Sequence, residues 1–396
     1  MPADTAKRPL GAADAAAPPA KKHRKQPGGA PSASTPPLGK FLASSEKHVR
    51  DKAVASLSRF LSAGRIQPRT QSHGNDQDED EDEAVEELPV GDLQWDDEWP
   101  VDARLAPDEM AKLWKGIFYC FWMSDKPLVQ QQLAQTLADL ALDVRPKSKS
   151  RNGRVERTRA ALCYLRGFWH AVVAEWYGMD KHRLDKFLLL IRRFTQVGFR
   201  LLEREAWDEH AIKEYNEILT GRGGPLDVTN QKVLHSIAYH LADIYVDEIE
   251  RTCAAHLPSS DADSSDSSPA PTRNVPLVLL LDPVFTTLSI SPTKILYARF
   301  TENVLEPLLA AFLPPKPTAP RPQKRKRTDP PAPARPVYPG ILACAREGAG
   351  AADAAQAIGK AVLRRLFDEG GKEQTGETNR RRIYQFVAAY GHVELE

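Results

Sequence analysis

The sequence predicts an all-α fold, an irregular array of helical hairpins of HEAT-like character with disordered tails and insertions. Two observations lead to this prediction. Apolar residues recur at helical spacing in successive segments, and pairs of such segments follow one another every 40 to 50 residues or so, without the strand and helix alternation of α/β proteins. Because no crisp sequence repeat accompanies the pairs, a compact irregular bundle stays open as an alternative.

The spacing of apolar residues predicts each helix, and helix-breaking residues predict where it ends. The first ends before Gly64, and the second runs into the corner Ser124-Asp125-Lys126-Pro127, where proline suits the first turn of the next helix and Ser124 or Asp125 can cap it. VPLVLLL, at 275–281, is assigned to a helix because no partner strand follows it. The predicted helices cover about 41–61, 107–123, the segment after Pro127, 155–178, 182–205, 207–219, 228–253, 275–290, 293–313, 352–369 and 377–390.

The most apolar of these helices ends in KGIFYCFWMSDKP, at 115–127. Apolar side chains cover all sides of its last two turns, which predicts burial on several faces. Phe121 and Trp122 are therefore both expected in the core, where replacement by alanine costs roughly 3 to 5 kcal/mol.

Composition divides the chain into four regions. Large apolar residues are almost absent from 1–38, which predicts a disordered basic tail. A helical domain follows at 39–313, with an acidic insertion at 72–98 and a Ser/Asp loop at 258–274. A linker rich in proline and basic residues, 314–336, leads to a C-terminal helical segment, 337–396.

The net charge of +1 is a cancellation between blocks of opposite sign. Residues 76–98 carry thirteen acidic residues and no base, whereas 145–166 carry eight bases and one acid, Glu156. Blocks of this kind are typical of proteins that bind polyanions and basic partners, although each block alone could be a solvated surface.

Several features that the sequence lacks narrow the cellular compartment and the chemistry that it predicts. The four cysteines, Cys120, Cys163, Cys253 and Cys344, are far apart and show no metal-ligand spacing, which favours reduced thiols in the cytosol or nucleus. No apolar stretch approaches the roughly 18 residues that span a bilayer, so no membrane partner is expected. HExxH, GxSxG and GxxxxGK[ST] are absent, so the sequence predicts neither an enzyme nor a cofactor, and no small-molecule substrate.

Basic residues supply the candidate binding site. On the helix 182–205, four of them fall within about 40° of one another, opposite the apolar stripe, and span roughly 27 Å. This face could be solvated, or could bind RNA phosphates or an acidic protein. The candidates for RNA or partner binding are Lys186, Arg193, Arg200 and Arg204 on this helix, with Arg151, Arg154 and Arg157 from the preceding basic block.

Three segments carry a family resemblance. KLWKGIFYCFWMSDKPLVQQQLA at 112–134, FWHAVVAEWYGMDKHRLDKFLLLIRR at 168–193 and HLADIYVDEIE at 240–250 resemble the nucleolar ribosomal RNA processing protein 1 family. The resemblance covers most of 41–309; the acidic run at 76–98 departs from it as an insertion. It implies a helical repeat protein that acts in the nucleolus as a non-catalytic assembly factor of the large ribosomal subunit. The partners it implies are pre-ribosomal RNA and other assembly factors in a pre-ribosomal particle.

An alternative function is a nuclear protein–protein adaptor of the transport type, built on the same helical repeats without direct RNA binding. RNA crosslinking in cells distinguishes the two, because an adaptor gives transport receptors and cargo but no discrete footprint on precursor RNA.

Two basic clusters in proline-rich segments predict recognition by an import receptor, although direct electrostatic binding to RNA would use the same residues. Their neutralisation is expected to leave a tagged protein in the cytoplasm, as fluorescence microscopy can measure. An unchanged nucleolar signal would mean that retention or a carrier partner dominates. The residues to replace are Lys21, Lys22, Arg24, Lys25, Lys324, Arg325, Lys326 and Arg327.

Overall fold

The structure, a computed structural model, describes residues 38–63, 107–145, 153–255, 275–314, 337–344 and 351–391. These residues contain helices, turns and no β-strand, which confirms the all-α prediction. Both predicted insertions, the import clusters and nearly all of the predicted tail and linker lie outside the described residues.

The helices follow the chain in two layers. Each helix packs mainly on the second helix along the chain, so that α1, α3, α5, α7 and α10 form one layer and α2, α4, α6, α8 and α11 the other. The short α13 packs on α8, and α14 packs on α12. This is the hairpin stacking of a HEAT-like array. The bounds are α1 Leu38–Leu42, α2 Lys47–Ala63, α3 Pro107–Trp122, α4 Pro127–Asp143, α5 Gly153–Glu175, α6 Leu184–Arg204, α7 Glu209–Thr220, α8 His235–Ala254, α9 Leu277–Leu280, α10 Asp282–Ile290, α11 Lys294–Phe300, α12 Glu306–Phe312, α13 Pro339–Cys344, α14 Ala351–Gly371 and α15 Glu377–Ala388.

The predicted helices are largely found, with the differences that follow and with a turn at Leu281, which divides the helix predicted at 275–290 into α9 and α10. The first is broken into α1 and α2, because the Arg50 guanidinium binds the carbonyl groups of Ser44 and Ser45 and withdraws them from a continuous helix. The helix predicted from residue 228 begins at His235, after turns organised by the Asp227 carboxylate. The helix at 293–313 contains a π-helical segment, Thr301–Leu305, before α12.

A cluster of buried aromatic side chains joins the two layers. Phe168 of α5 and Phe194 of α6 stack with ring centroids 3.6 Å apart, and Trp114 of α3 meets each of them edge-on at 5.5 Å. The Tyr164 hydroxyl donates to the Leu137 carbonyl of α4 at 3.0 Å. A side chain at Gly167 would collide with the Trp114 ring, so glycine permits the close contact between α3 and α5.

The aromatic end of α3 divides into a core residue and a boundary residue. Phe121 is fully buried and meets Phe187 edge-on at 5.2 Å. Trp122 is only partly buried, and the Arg183 guanidinium lies 4.6 Å from its ring centroid. The prediction that both belong to the core is therefore wrong for Trp122, which lies at the last turn of α3 beneath the turn that precedes α6.

The corner after α3 confirms the role of Pro127, which begins α4, but not the predicted cap. The N-cap position is Lys126, with no side-chain cap. The Ser124 hydroxyl instead donates back to the Phe121 carbonyl at 2.7 Å.

Alanine substitutions should separate these two aromatic residues. Phe121→Ala is expected to cost about 3 to 5 kcal/mol of unfolding free energy because it leaves a sealed cavity. Trp122→Ala should cost less, about 1 to 2 kcal/mol, because a partly exposed ring loses its contacts with Phe118, Phe187 and Arg183. Urea denaturation measures both, with Leu128→Ala, at a side chain that is 78% exposed, as the control. Equal costs for the two variants would contradict this assignment.

Candidate nucleic-acid interface

The structure places Lys186 inside the protein. Its side chain is 7% exposed, and its ammonium group donates to the carbonyl oxygens of Trp122 and Ser124, both at 2.7 Å. Lys186 thus ties the start of α6 to the corner between α3 and α4. The prediction that it lies on an exposed face is wrong, and a glutamate there would face two carbonyl oxygens without a donor.

Other basic residues of α6 pair with the helices on either side, Arg192 with Glu248 of α8 and Arg200 with Asp139 of α4. Arg200 pairs with Asp139 of α4 at 2.6 Å, and Arg193 is half-buried. The amphipathic pattern of α6 correctly predicted its apolar face. It did not predict these polar contacts, because a helix of a two-layer array also packs against the neighbouring helices of its own layer. Two residues of the predicted stripe, Lys186 and Arg200, therefore make contacts within the fold, although Arg200 keeps 39% of its side chain exposed.

The C-terminal end of α6 has a different character. There Arg204 meets Arg154 and Arg157 from the start of α5, together with Arg145, which follows α4. We call Arg145, Arg154, Arg157 and Arg204 the arginine cluster. The side chains of Arg154 and Arg204 remain 26% and 24% exposed, and Arg145 is exposed, so the cluster is open to solvent in part.

Two acceptors hold the arginine cluster together. The buried Glu205 carboxylate accepts from Arg154 Nε at 2.9 Å and from Arg204 Nε at 2.7 Å. The Leu142 carbonyl at the end of α4 accepts from Arg157 at 3.1 Å and from Arg204 at 2.8 Å. Because the last carbonyl groups of a helix lack internal partners, arginines suit this position.

Positive charge exceeds negative charge in the cluster. The pKa of Arg157 is lowered to about 10, mainly by burial and then by repulsion from Arg204 and Arg145, against the opposite effect of Glu205 and Asp143. Four guanidinium groups thus share two nearby carboxylates. The charged state of Arg157 is destabilised by its neighbours, and a bound anion would relieve that repulsion.

A strained turn follows the cluster. Ala206 and Trp207 both have positive φ, 57° and 59°, which is uncommon for residues other than glycine. Trp207 is buried, and its amide donates to the Leu202 carbonyl at 2.8 Å. Packing of this tryptophan therefore fixes the backbone that carries Glu205, and strain of this kind is often found at functional sites.

The structure brings together Arg154, Arg157 and Arg204 of the predicted candidates, and Arg151 lies outside the described residues. Sequence reasoning missed two members of the site. Arg145 was counted in the basic block 145–166 but not singled out. Nothing in the sequence pointed to Glu205. An acidic residue next to Arg204 suggests that it neutralises this arginine locally, and not that it forms a contact across three helices.

The acidic residues of α8 are engaged inside the fold. Asp243 accepts from Arg299 and Asn303, both at 2.6 Å, and the Glu250 carboxylate accepts from the backbone amides of Gly340 and Ile341 in α13. Within the described ranges, no three His, Cys, Asp or Glu side chains come together as a metal site. No helix of this part of the chain has the length and apolar character that crossing a membrane requires.

Replacing Lys186 tests whether its hydrogen bonds to the carbonyl oxygens of Trp122 and Ser124 stabilise the fold. The pKa of Lys186 is lowered from its ordinary 10.5 to about 8, mainly by burial, with Arg183 and Arg50 acting in the same direction and Asp125 and Asp180 in the opposite one. Lys186→Met should cost about 1 to 3 kcal/mol at neutral pH because two carbonyl oxygens lose their donor.

Between pH 8 and 10.5, the unfolded state binds the lysine proton more tightly than the folded state, so deprotonation favours folding. The stability difference between wild type and Lys186→Met should therefore widen as pH rises through this window. Urea melts at a series of pH values measure the difference. A stability difference that does not change with pH would contradict the assignment of Lys186 as a buried, charged residue.

Known proteins resemble this chain across its helical array. A family model described as Nucleolar protein, Nop52 matches residues 33–333, a range that includes all helices from α1 to α12. The human ribosomal RNA processing protein 1 homolog B is 30% identical over 217 residues, which cover 53% of this chain and 22% of the human protein. The mouse homolog A is 33% identical over 153 residues, 38% of this chain and 28% of the relative.

A more distant relative extends the comparison. The ribosomal RNA processing protein 1 homolog of Dictyostelium discoideum is 23% identical over 226 residues, 53% of this chain and 40% of the relative. The matches to the human and mouse proteins thus span less than a third of those proteins. Since the family model covers about three quarters of the chain, the chain belongs to the Nop52 family of nucleolar proteins.

Proposed function

We propose that this chain is a non-catalytic nucleolar assembly factor for the large ribosomal subunit, which scaffolds pre-ribosomal RNA and other assembly factors during rRNA processing. The observation that carries the proposal is the extent of the family match, from α1 to α12. Proteins named for ribosomal RNA processing are similar to the chain over 217 and 153 residues, which supports the same assignment. Import into the nucleus, in this proposal, uses the two basic clusters and an import receptor.

The architecture supports a role as a scaffold. Helical arrays offer extended surfaces whose parts can contact several partners at once. Carboxylates buried in the described part of the chain stabilise the fold: Glu205 and Glu248 pair with arginines, and Glu369 pairs with Arg365 and Lys372. A non-catalytic role is consistent with this use of its buried acids.

Depletion and rescue in the source cells test the proposal. Loss of the protein should cause precursors of the large-subunit rRNAs to accumulate, because assembly stalls when a scaffold is missing. Northern blotting measures the precursors. Re-expression of the wild-type chain should restore processing, whereas the destabilised variant Phe121→Ala should restore it less.

Two results would contradict the proposal. Normal precursor levels after depletion would remove the role in rRNA processing. Normal precursors together with a block in nuclear transport of cargo proteins would favour the transport adaptor instead.

A further inference from the structure

We infer that the arginine cluster is a preformed site for the phosphate backbone of RNA, in which Glu205 holds the guanidinium groups in position. The inference deepens the proposed function and rests on it for the choice of RNA as the ligand. It differs from the predicted stripe in its residues, because it includes Arg145 and Glu205 and excludes Lys186, Arg193 and Arg200.

The charge balance of the cluster distinguishes it from other basic residues of the array. Lys186 has two carbonyl acceptors, and Arg200 has its own carboxylate, Asp139. In the cluster, Arg154 and Arg204 instead share one buried carboxylate, Glu205, and Arg157 and Arg204 share one carbonyl oxygen. Arg145 and Asp143 add one further charge of each sign beside Arg157. An anion at this place gains attraction from several cations at once and need not displace an existing ion pair.

The geometry of the cluster lowers the entropic cost of binding. Arg154 and Arg204 are each fixed by Glu205, and Arg157 is fixed by the Leu142 carbonyl. The strained turn at Ala206 and Trp207 holds the backbone beside Glu205. Guanidinium groups match phosphate oxygens through paired N–H donors, and groups already held in place lose less rotational freedom when a ligand binds.

The surroundings favour RNA over a protein partner. Protein interfaces usually have an apolar core with aromatic residues. The exposed large apolar side chains of the described residues, among them Tyr177 and Leu128, lie outside the helix ends that form the cluster, 140–145, 153–158 and 200–205. A charged cluster without an apolar centre suits the sequence-independent contact that proteins make with a phosphate backbone.

A double variant tests the site without stranding a buried acceptor. In Arg145→Gln/Arg157→Gln, Glu205 keeps both of its arginines, and the Leu142 carbonyl keeps Arg204 as a donor. The matched control, Lys126→Gln/Lys232→Gln, removes the same charge from exposed lysines before α4 and α8. Circular-dichroism melts of the purified full chains confirm that each variant is folded.

The measurement is fluorescence anisotropy of a labelled single-stranded RNA of about 20 nucleotides, titrated at several salt concentrations. The double variant should bind roughly ten-fold more weakly at moderate salt and should reduce the magnitude of the slope of log K against log salt by about 1.4, about 0.7 for each lost phosphate contact with a single strand. The control should bind like wild type. Equal binding by the double variant and wild type would overturn the inference.

Glu205→Gln separates positioning from simple charge attraction. The substitution makes the cluster more positive, so charge counting alone predicts tighter RNA binding. If Glu205 positions the guanidinium groups, binding should weaken despite the added positive charge. Tighter binding by a folded Glu205→Gln protein would overturn the positioning role.

Competition with polyglutamate distinguishes RNA from an acidic protein. At equal concentrations of negative charge, the wild-type chain should bind RNA more tightly than polyglutamate. The double variant should lose more affinity for RNA than for polyglutamate. The reverse order would overturn the choice of RNA. Because these assays use the purified chain, absence of RNA binding by wild type would sink the inference while leaving the depletion and rescue result to judge the proposed function.

Discussion

The close packing of α6 between α4, α5 and α8 is the constraint on which the rest of the structure depends. Phe194 stacks on Phe168 at 3.6 Å, and the same helix faces Tyr164 and Trp114, so one set of rings joins both layers. A helix enclosed in this way has no wide solvent face. Its basic residues therefore either pair with neighbouring helices or gather at its end, and this division produces both the contacts within the fold and the arginine cluster.

Partly or fully buried positive charge has different consequences at Lys186 and at the arginine cluster. At Lys186 the cost of burying an ammonium group is offset by two carbonyl acceptors, so the residue serves the fold. At the arginine cluster the acceptors are fewer than the guanidinium groups, so part of the charge stays uncompensated. The same residue types on one helix thus differ in what they can offer a ligand, and the difference is set by the neighbouring helices.

Much of the fold could be predicted from the sequence, because local apolar periodicity reports which face of a helix is buried. The aromatic end of α3, Pro127 at the start of α4 and the family segments all depend on local pattern. The site could be predicted only in part. Whether Lys186 is exposed depends on the corner at Trp122, and whether Glu205 neutralises Arg204 depends on Arg154. Such contacts join residues 51 and 64 positions apart and leave no trace in helical periodicity.

Ultraviolet crosslinking of the tagged protein in cells, followed by sequencing of the bound RNA, tests the central claim most directly. A nucleolar scaffold that contacts pre-ribosomal RNA should give a discrete footprint within the precursor of the large-subunit rRNAs, and Arg145→Gln/Arg157→Gln should reduce crosslinking there. Recovery of transport receptors and cargo without any footprint on precursor RNA would contradict the account.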